Sequence, residues 1–175
     1  MKKIITLFAI IGLVAFSSCE GPEGPEGPPG FNTPLPQVFE VNNVSFAANG
    51  DGIVQRFKTS ILSGDVVLIY RLTGITANNR DVWSPIPESH YYDDGTLFFT
   101  YKFNFSQDDF EIYLDGFELN TVPVNLRTNQ TFRIVIVPAD DGFNTKKSVN
   151  KPDYSDYNAV IKKYNIDDSN VKKLN

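Results

Sequence analysis

Between residues 96 and 105 the chain alternates strictly. Leu97, Phe99, Tyr101, Phe103 and Phe105 share one parity, and Thr96, Thr100, Lys102 and Asn104 share the other, together with Phe98. A period of two marks a strand with one face on a core and one face in water. The same pattern recurs at Ile53, Phe57 and Ile61, at Phe110, Ile112 and Leu114, and at Phe132, Ile134 and Ile136. Residues 66–72 are apolar on both faces until Arg71, which predicts a more central strand. In residues 38–46, Phe39 and Val41 share one parity while Val44 and Phe46 share the other. A bulge near Asn42 and Asn43 would bring all four to one side.

Turn-forming clusters separate these runs: Asn49-Gly50-Asp51-Gly52, Ser63-Gly64, Asp93-Asp94-Gly95 and Asp115-Gly116. Residues 122–126 form a further strand candidate that Pro123 confines to an edge. About seven short strands with regular turns predict an all-β fold, an antiparallel β-sandwich. One short C-terminal helix is expected as well. Tyr157, Val160, Ile161 and Tyr164 follow helical spacing, with Ser155 or Asp156 to cap the start and Asn165 to end it. Its apolar stripe is expected to cover an edge or end of the sheet. Residues 166–175 are polar and are expected to fray.

The first 18 residues follow a different pattern. Lys2 and Lys3 precede an apolar run from Ile4 to Phe16, broken only by Thr6 and Gly12. That run is shorter than the roughly 20 residues that span a bilayer, and it fits the apolar region of a signal peptide. Phe16-Ser17-Ser18-Cys19 resembles the lipobox of bacterial lipoproteins. The resemblance implies cleavage before Cys19, a diacylglyceryl thioether on its sulfur and a fatty acyl group such as palmitate on its freed amine. The plain alternative is a secreted protein with an incidental Cys.

Residues 21–29 read Gly-Pro-Glu, Gly-Pro-Glu, Gly-Pro-Pro, and Gly30 starts a fourth triplet. This is collagen-like periodicity, but very short for a triple helix. A stiff, hydrated stalk is the simpler reading, and a monomer is expected off the membrane. The expected organisation is therefore a signal peptide over 1–18, a lipidated Cys and stalk over 19–37, a β-sandwich over 38–149, and a helix with a polar tail over 150–175.

Charge and cysteine content narrow the chemistry. The full chain carries a net charge of −5, and losing Lys2 and Lys3 with the signal segment takes it to −7. Such a balance gives no electrostatic basis for binding nucleic acid. Cys19 is the only cysteine. Once Cys19 is lipidated no thiol remains, which removes disulfides, a Cys nucleophile and Cys-based metal sites, and no cofactor is expected.

Candidate chemistry is sparse. His90 is the only histidine, so a Ser-His-Asp triad could use no other, and no Gly-x-Ser-x-Gly elbow is present. It reads first as a water-exposed loop or strand-end residue. Asp93, Asp94, Asp140 and Asp141 could offer oxygens to calcium, although Asp beside Gly is first of all turn chemistry. The segment from Thr76 to Gly95 reads as a long loop holding the only Trp, Trp83, with His90, Tyr91 and Tyr92. Aromatic rings in a loop can stack on sugars. The alternative has Trp83 tucked under the loop, covering the sandwich end.

The lipobox, the Gly-Pro-Glu stalk, the Tyr91-Tyr92-Asp93-Asp94-Gly95 turn, the segment from Gln130 to Ala139 and the tail from Tyr164 to Asp168 resemble small collagen-like lipoproteins of Bacteroidota. That resemblance implies a cell-envelope location, lipid-anchored at the outer membrane. It carries over no activity, ligand or functional residue. The expected role is non-catalytic: a structural or protein-interaction module displayed from a membrane. The alternative is a glycan-binding lipoprotein of a polysaccharide-uptake system.

Overall fold

The computed structural model describes residues 37–138 and 153–174. Cys19, the signal segment, the stalk before Gln37, Asp140 and Asp141 lie outside the described residues. Among the described residues nine strands and two helices follow in order: β1 Gln37–Val44, β2 Ile53–Arg56, β3 Val66–Ile75, β4 Asp81–Pro85, β5 Glu88–Tyr91, β6 Leu97–Phe105, β7 Asp109–Gly116, α1 Val124–Arg127, β8 Gln130–Val137, α2 Tyr157–Tyr164 and β9 Lys172–Lys173. A 3-10 turn, Leu119–Thr121, precedes α1.

The strands form two sheets, ordered β4-β3-β8-β1-β9 and β2-β7-β6-β5. The chain is an all-β sandwich with a short C-terminal helix. Pairing is antiparallel except where β9 runs parallel to β1, matching Phe39 with Lys172 and Glu40 with Lys173. The alternation read from the sequence decides the inner faces. Phe39, Val41, Val67, Ile69, Phe132, Ile134 and Ile136 from the five-stranded sheet meet Phe99, Tyr101, Phe110, Ile112 and Leu114 from the four-stranded sheet. The expected bulge is present: the β1–β8 register shifts between Val41 and Val44, and Asn43 has a φ of 56°. This keeps Val44 in the same core as Val41.

The five-stranded sheet is apolar on its outer face too. Tyr70, Val135 and Val137 there pack against Tyr157, Val160 and Ile166 in a second cluster. The helix α2 therefore covers a sheet face, not the edge or end expected from the sequence. The physical reason lies in β8, whose Val135 and Val137 would otherwise leave large apolar area in water. The Asp156 carboxylate caps α2 by accepting from the Ala159 N–H at 3.2 Å. Asn165 ends it in the left-handed conformation, and the Ile166 N–H donates to the Ile161 carbonyl at 3.0 Å.

Three further expectations are corrected. The segment from Thr76 to Gly95 is not a long loop: it supplies β4 and β5, which pair with β3 and β6. Residues 122–126 are not a strand; Pro123 stands at the N-cap of α1, where its missing N–H costs nothing. The tail does not fray from residue 166, because Ile166 is buried and the Leu174 N–H donates to the Glu40 carbonyl at 2.9 Å. Gly50 shows where the backbone requires glycine. Gly50 has a φ of +96°, and a Cβ there would sit 2.5 Å from the Leu114 carbonyl oxygen.

Candidate functional site

The sequence singled out Trp83, His90, Tyr91 and Tyr92, and the structure does not bring these four together. Each buried arginine of the five-stranded sheet organises one neighbourhood, and Trp83 and His90 fall in different ones.

On the outer face, Arg133 of β8 points toward α2. Its guanidinium carbon lies 4.1 Å from the centroid of the Trp83 ring and 5.2 Å from that of Tyr157. The Arg133 Nε and Nη2 groups both donate to Glu40 Oε1, at 3.1 and 2.5 Å. Its Nη1 donates to the Tyr157 hydroxyl at 2.6 Å, and that hydroxyl donates to Asp168 Oδ2 at 2.7 Å. Burial by itself pulls the Arg133 pKa down, but the bonds to Glu40 and Tyr157 outweigh it and hold the pKa above the ordinary arginine value. Burial, aided by the bond to Asp168 and opposed by Arg133, holds the Tyr157 phenol well above the usual tyrosine range. Trp83 thus packs beside α2 on the sheet face, not at the sandwich end. A hollow of about 300 Å³ beside this cluster is lined by Arg80, Asp81, Trp83, Arg133, Tyr157 and Asp168, among others.

Between the sheets, Arg71 of β3 reaches β5. Its Nε and Nη2 groups donate to Glu88 Oε2 and Oε1 at 2.9 and 2.5 Å, a two-bond fork. Its Nη1 donates to Gln130 Oε1 at 3.0 Å. The Gln130 side-chain amide in turn donates to the carbonyls of Asn125 and Thr128, fixing α1. The Arg71 guanidinium carbon also lies 4.7 Å from the Tyr101 ring centroid. The Tyr101 hydroxyl donates to the Leu126 carbonyl. Burial pushes this phenol up to about 12, with Arg71 opposing and Glu88 adding.

His90 stands near the end of β5, as expected, but is half-buried and not open to water. Its ring stacks on Phe99 at 4.5 Å between centroids and 3° between planes, and meets the edge of Tyr101. Its Nε2 lies 2.9 Å from Glu88 Oε1. Nε2 has no hydrogen-bond partner, so this is a close contact without a directed hydrogen bond. The β5 alternation explains the placement: Glu88 and His90 turn inward, while Ser89 and Tyr91 turn outward.

Tyr91 and Tyr92 are the two predicted aromatics that remain open to water, at 61% and 40% exposure. Tyr92 stacks on Phe98 of β6 at 4.4 Å, and Phe117, whose N–H donates to the Phe98 carbonyl, is also exposed. Asp93 and Asp94 form the turn between β5 and β6. Asp94 Oδ1 accepts from the Thr96 N–H at 2.8 Å, which lowers the Asp94 pKa. Among the described residues, no group of three or more His, Cys, Asp or Glu side chains is placed to hold a metal ion. No described helix is long and apolar enough to cross a membrane.

Sequence reasoning gave no site role to Arg71, Arg133, Glu40 or Glu88, and did not pair Asp168 with Tyr157 and Arg133. A signal was present in part. Arg71 and Arg133 each interrupt an otherwise apolar run, and a buried arginine requires a partner. The partners lie 17 and 93 residues away in the chain, and no local spacing names them.

Fold and site together define a two-sheet β-sandwich with an α-helical third layer, held by two arginine-centred clusters. Comparison with known protein families, with curated proteins and with solved structures finds no match to the chain.

Proposed function

We propose that this chain is an envelope lipoprotein that acts by binding and not by catalysis, its β-sandwich displayed from a bacterial membrane by a lipid on Cys19. One observation supports the non-catalytic reading above all. The inward groups suited to acid–base or charge chemistry are engaged in holding layers together: His90 on Phe99 and Glu88, Arg71 on Glu88, Arg133 on Glu40. A general base must reach a substrate proton, and the half-buried His90 is stacked on Phe99 instead. The apolar run ending at Ser17-Ser18-Cys19 supports the anchor. Two or more acyl chains hold a protein on a membrane stably, where one does so marginally.

The test is to feed labelled palmitate to bacteria making the full chain. Label should enter the protein, and Cys19→Ser should abolish the label and shift the protein out of the membrane fraction. Unchanged label and partition in the variant would remove the anchor from the proposal.

A second reading has one specific observation in its favour: Tyr91 and Tyr92 stand exposed on one turn, with Phe98 behind Tyr92. Such a surface suits stacking on sugar rings, as in a glycan-binding module of a polysaccharide-uptake system. A glycan-array screen of the full chain and of Tyr91→Ala/Tyr92→Ala separates the two readings. Glycan binding lost in the double variant favours the second, and a blank array favours protein contacts.

A further inference from the structure

A cavity opens at the end of the sandwich where β1 begins. It measures about 630 Å³. Its apolar wall is built from Val38 and Phe39 of β1, Ile136 of β8, Phe57 beyond β2, and Ile166 and Leu174 of the C-terminal segment. Phe39, Phe57, Ile136 and Ile166 are buried within the folded chain, so the wall is continuous with the cores. Small-molecule sites commonly have this size and form: a largely apolar concavity with a few polar groups at defined points.

The polar groups stand at the rim. Lys58, which follows β2, and Lys172, in β9, both line the cavity. Among the described residues neither joins an ion pair. Asp167 also lines the cavity, but its carboxylate accepts from the Ser169 N–H at 3.0 Å and the Ser169 hydroxyl at 2.6 Å. Two exposed lysines thus line a largely apolar cleft in a chain whose net charge is −5. Unpaired cations over buried apolar walls complement a molecule with the opposite arrangement, an apolar body and an anionic end.

We propose that this cavity binds a single-chain anionic amphiphile of the fatty-acid class. The alkyl chain lies along Phe39, Phe57 and Ile136, and the carboxylate sits at the rim between Lys58 and Lys172. Burying the alkyl chain supplies the main driving force, and the two lysines select an acid over a neutral chain of equal length. The inference rests on the cavity and does not depend on lipidation of Cys19.

Titration calorimetry of the full chain carrying Cys19→Ser, with sodium laurate below its micellar concentration, tests it. Dodecanol serves as the uncharged control. One laurate per chain should bind saturably, and more tightly than dodecanol. Lys58→Ala/Lys172→Ala should weaken laurate about tenfold, the worth of two exposed charge contacts, and leave dodecanol unchanged. Both lysines are exposed, so this variant keeps the fold. Thr59→Trp, at the exposed rim, should obstruct both ligands with an unchanged circular dichroism spectrum. Absence of saturable binding overturns the proposal. So does laurate binding indifferent to the lysines, or unchanged by Thr59→Trp. Attachment to vesicles of anionic phospholipid without laurate binding also overturns it, and would assign the two lysines to a membrane surface.

Discussion

The guanidinium of Arg133 lies over the ring of Trp83, 4.1 Å from its centroid. That contact joins β8 to β4 on the sheet face that α2 covers. Trp83 is therefore a packing residue of the third layer, and its neighbour explains how a charge is tolerated there. The cation has a carboxylate partner in Glu40, aromatic partners in Trp83 and Tyr157, and a relayed bond to Asp168 through Tyr157.

A double-mutant cycle at Glu40 and Arg133 measures this arrangement. Glu40→Leu alone leaves a buried guanidinium short of its main partner and should cost about 3–5 kcal/mol in urea unfolding. Adding Arg133→Met should recover most of that loss, since Tyr157 and Asp168 still satisfy one another. A double variant no more stable than Glu40→Leu would show that Arg133 contributes mainly through its packing on Trp83.

Tyrosine titration should reveal the buried phenols. Unfolded tyrosine loses its proton near pH 10, while folded Tyr101 keeps it to about 12. Burial also raises Tyr70 and Tyr157. Between those limits the unfolded chain has released protons that the folded chain retains. Stability should therefore be complete below about pH 10 and fall as pH rises through that window. Absorbance near 295 nm should report three of the eight tyrosines only once circular dichroism shows unfolding. Full phenolate absorbance in the folded protein would contradict the burial of these hydroxyls.

The C-terminal segment should behave as part of the fold. Ile166→Ala should cost about 2–3 kcal/mol, as expected for a large-to-small change at a buried site near the surface. In hydrogen exchange, the Leu174 amide, bonded to the Glu40 carbonyl, should exchange more slowly than its exposed neighbours. Exchange at the rate of an unstructured peptide would return this segment to the frayed state that its composition suggests.

The Tyr91–Tyr92 turn should be dispensable for stability. Tyr91→Ala should change the unfolding free energy by no more than about 0.5 kcal/mol, because the side chain is exposed. Tyr92→Ala removes a stack on Phe98 and should cost about 0.5–1.5 kcal/mol. Larger losses would mean that these rings serve the fold before any ligand.

Local periodicity determined much of this protein. The side-chain period of a strand is two, so Phe99 and Tyr101, Phe110 and Ile112, and Phe132 and Ile134 could be assigned to one inner surface from the sequence alone. The change of parity between Val41 and Val44 announced a bulge, and Ser155 or Asp156 at the start and Asn165 at the end marked α2, with Asp156 serving as the cap. These signals act over a few residues, which is why they are legible in the chain. Tertiary structure decided the rest. Thr76–Gly95 carries Pro85, Pro87 and many polar residues, yet becomes β4 and β5 because β3 and β6 offer open edges to pair with. The tail is held by Glu40 and the cluster around Ile166. His90, which reads as a surface residue, is taken inward because β5 alternates about Glu88, and Glu88 is drawn in by Arg71. A buried charge is stable only beside its partner, and Arg71 with Glu88 and Arg133 with Glu40 are far apart in the chain. The sequence shows that each arginine must have a partner; only the folding of the two sheets and the helix onto one another decides which carboxylate it is.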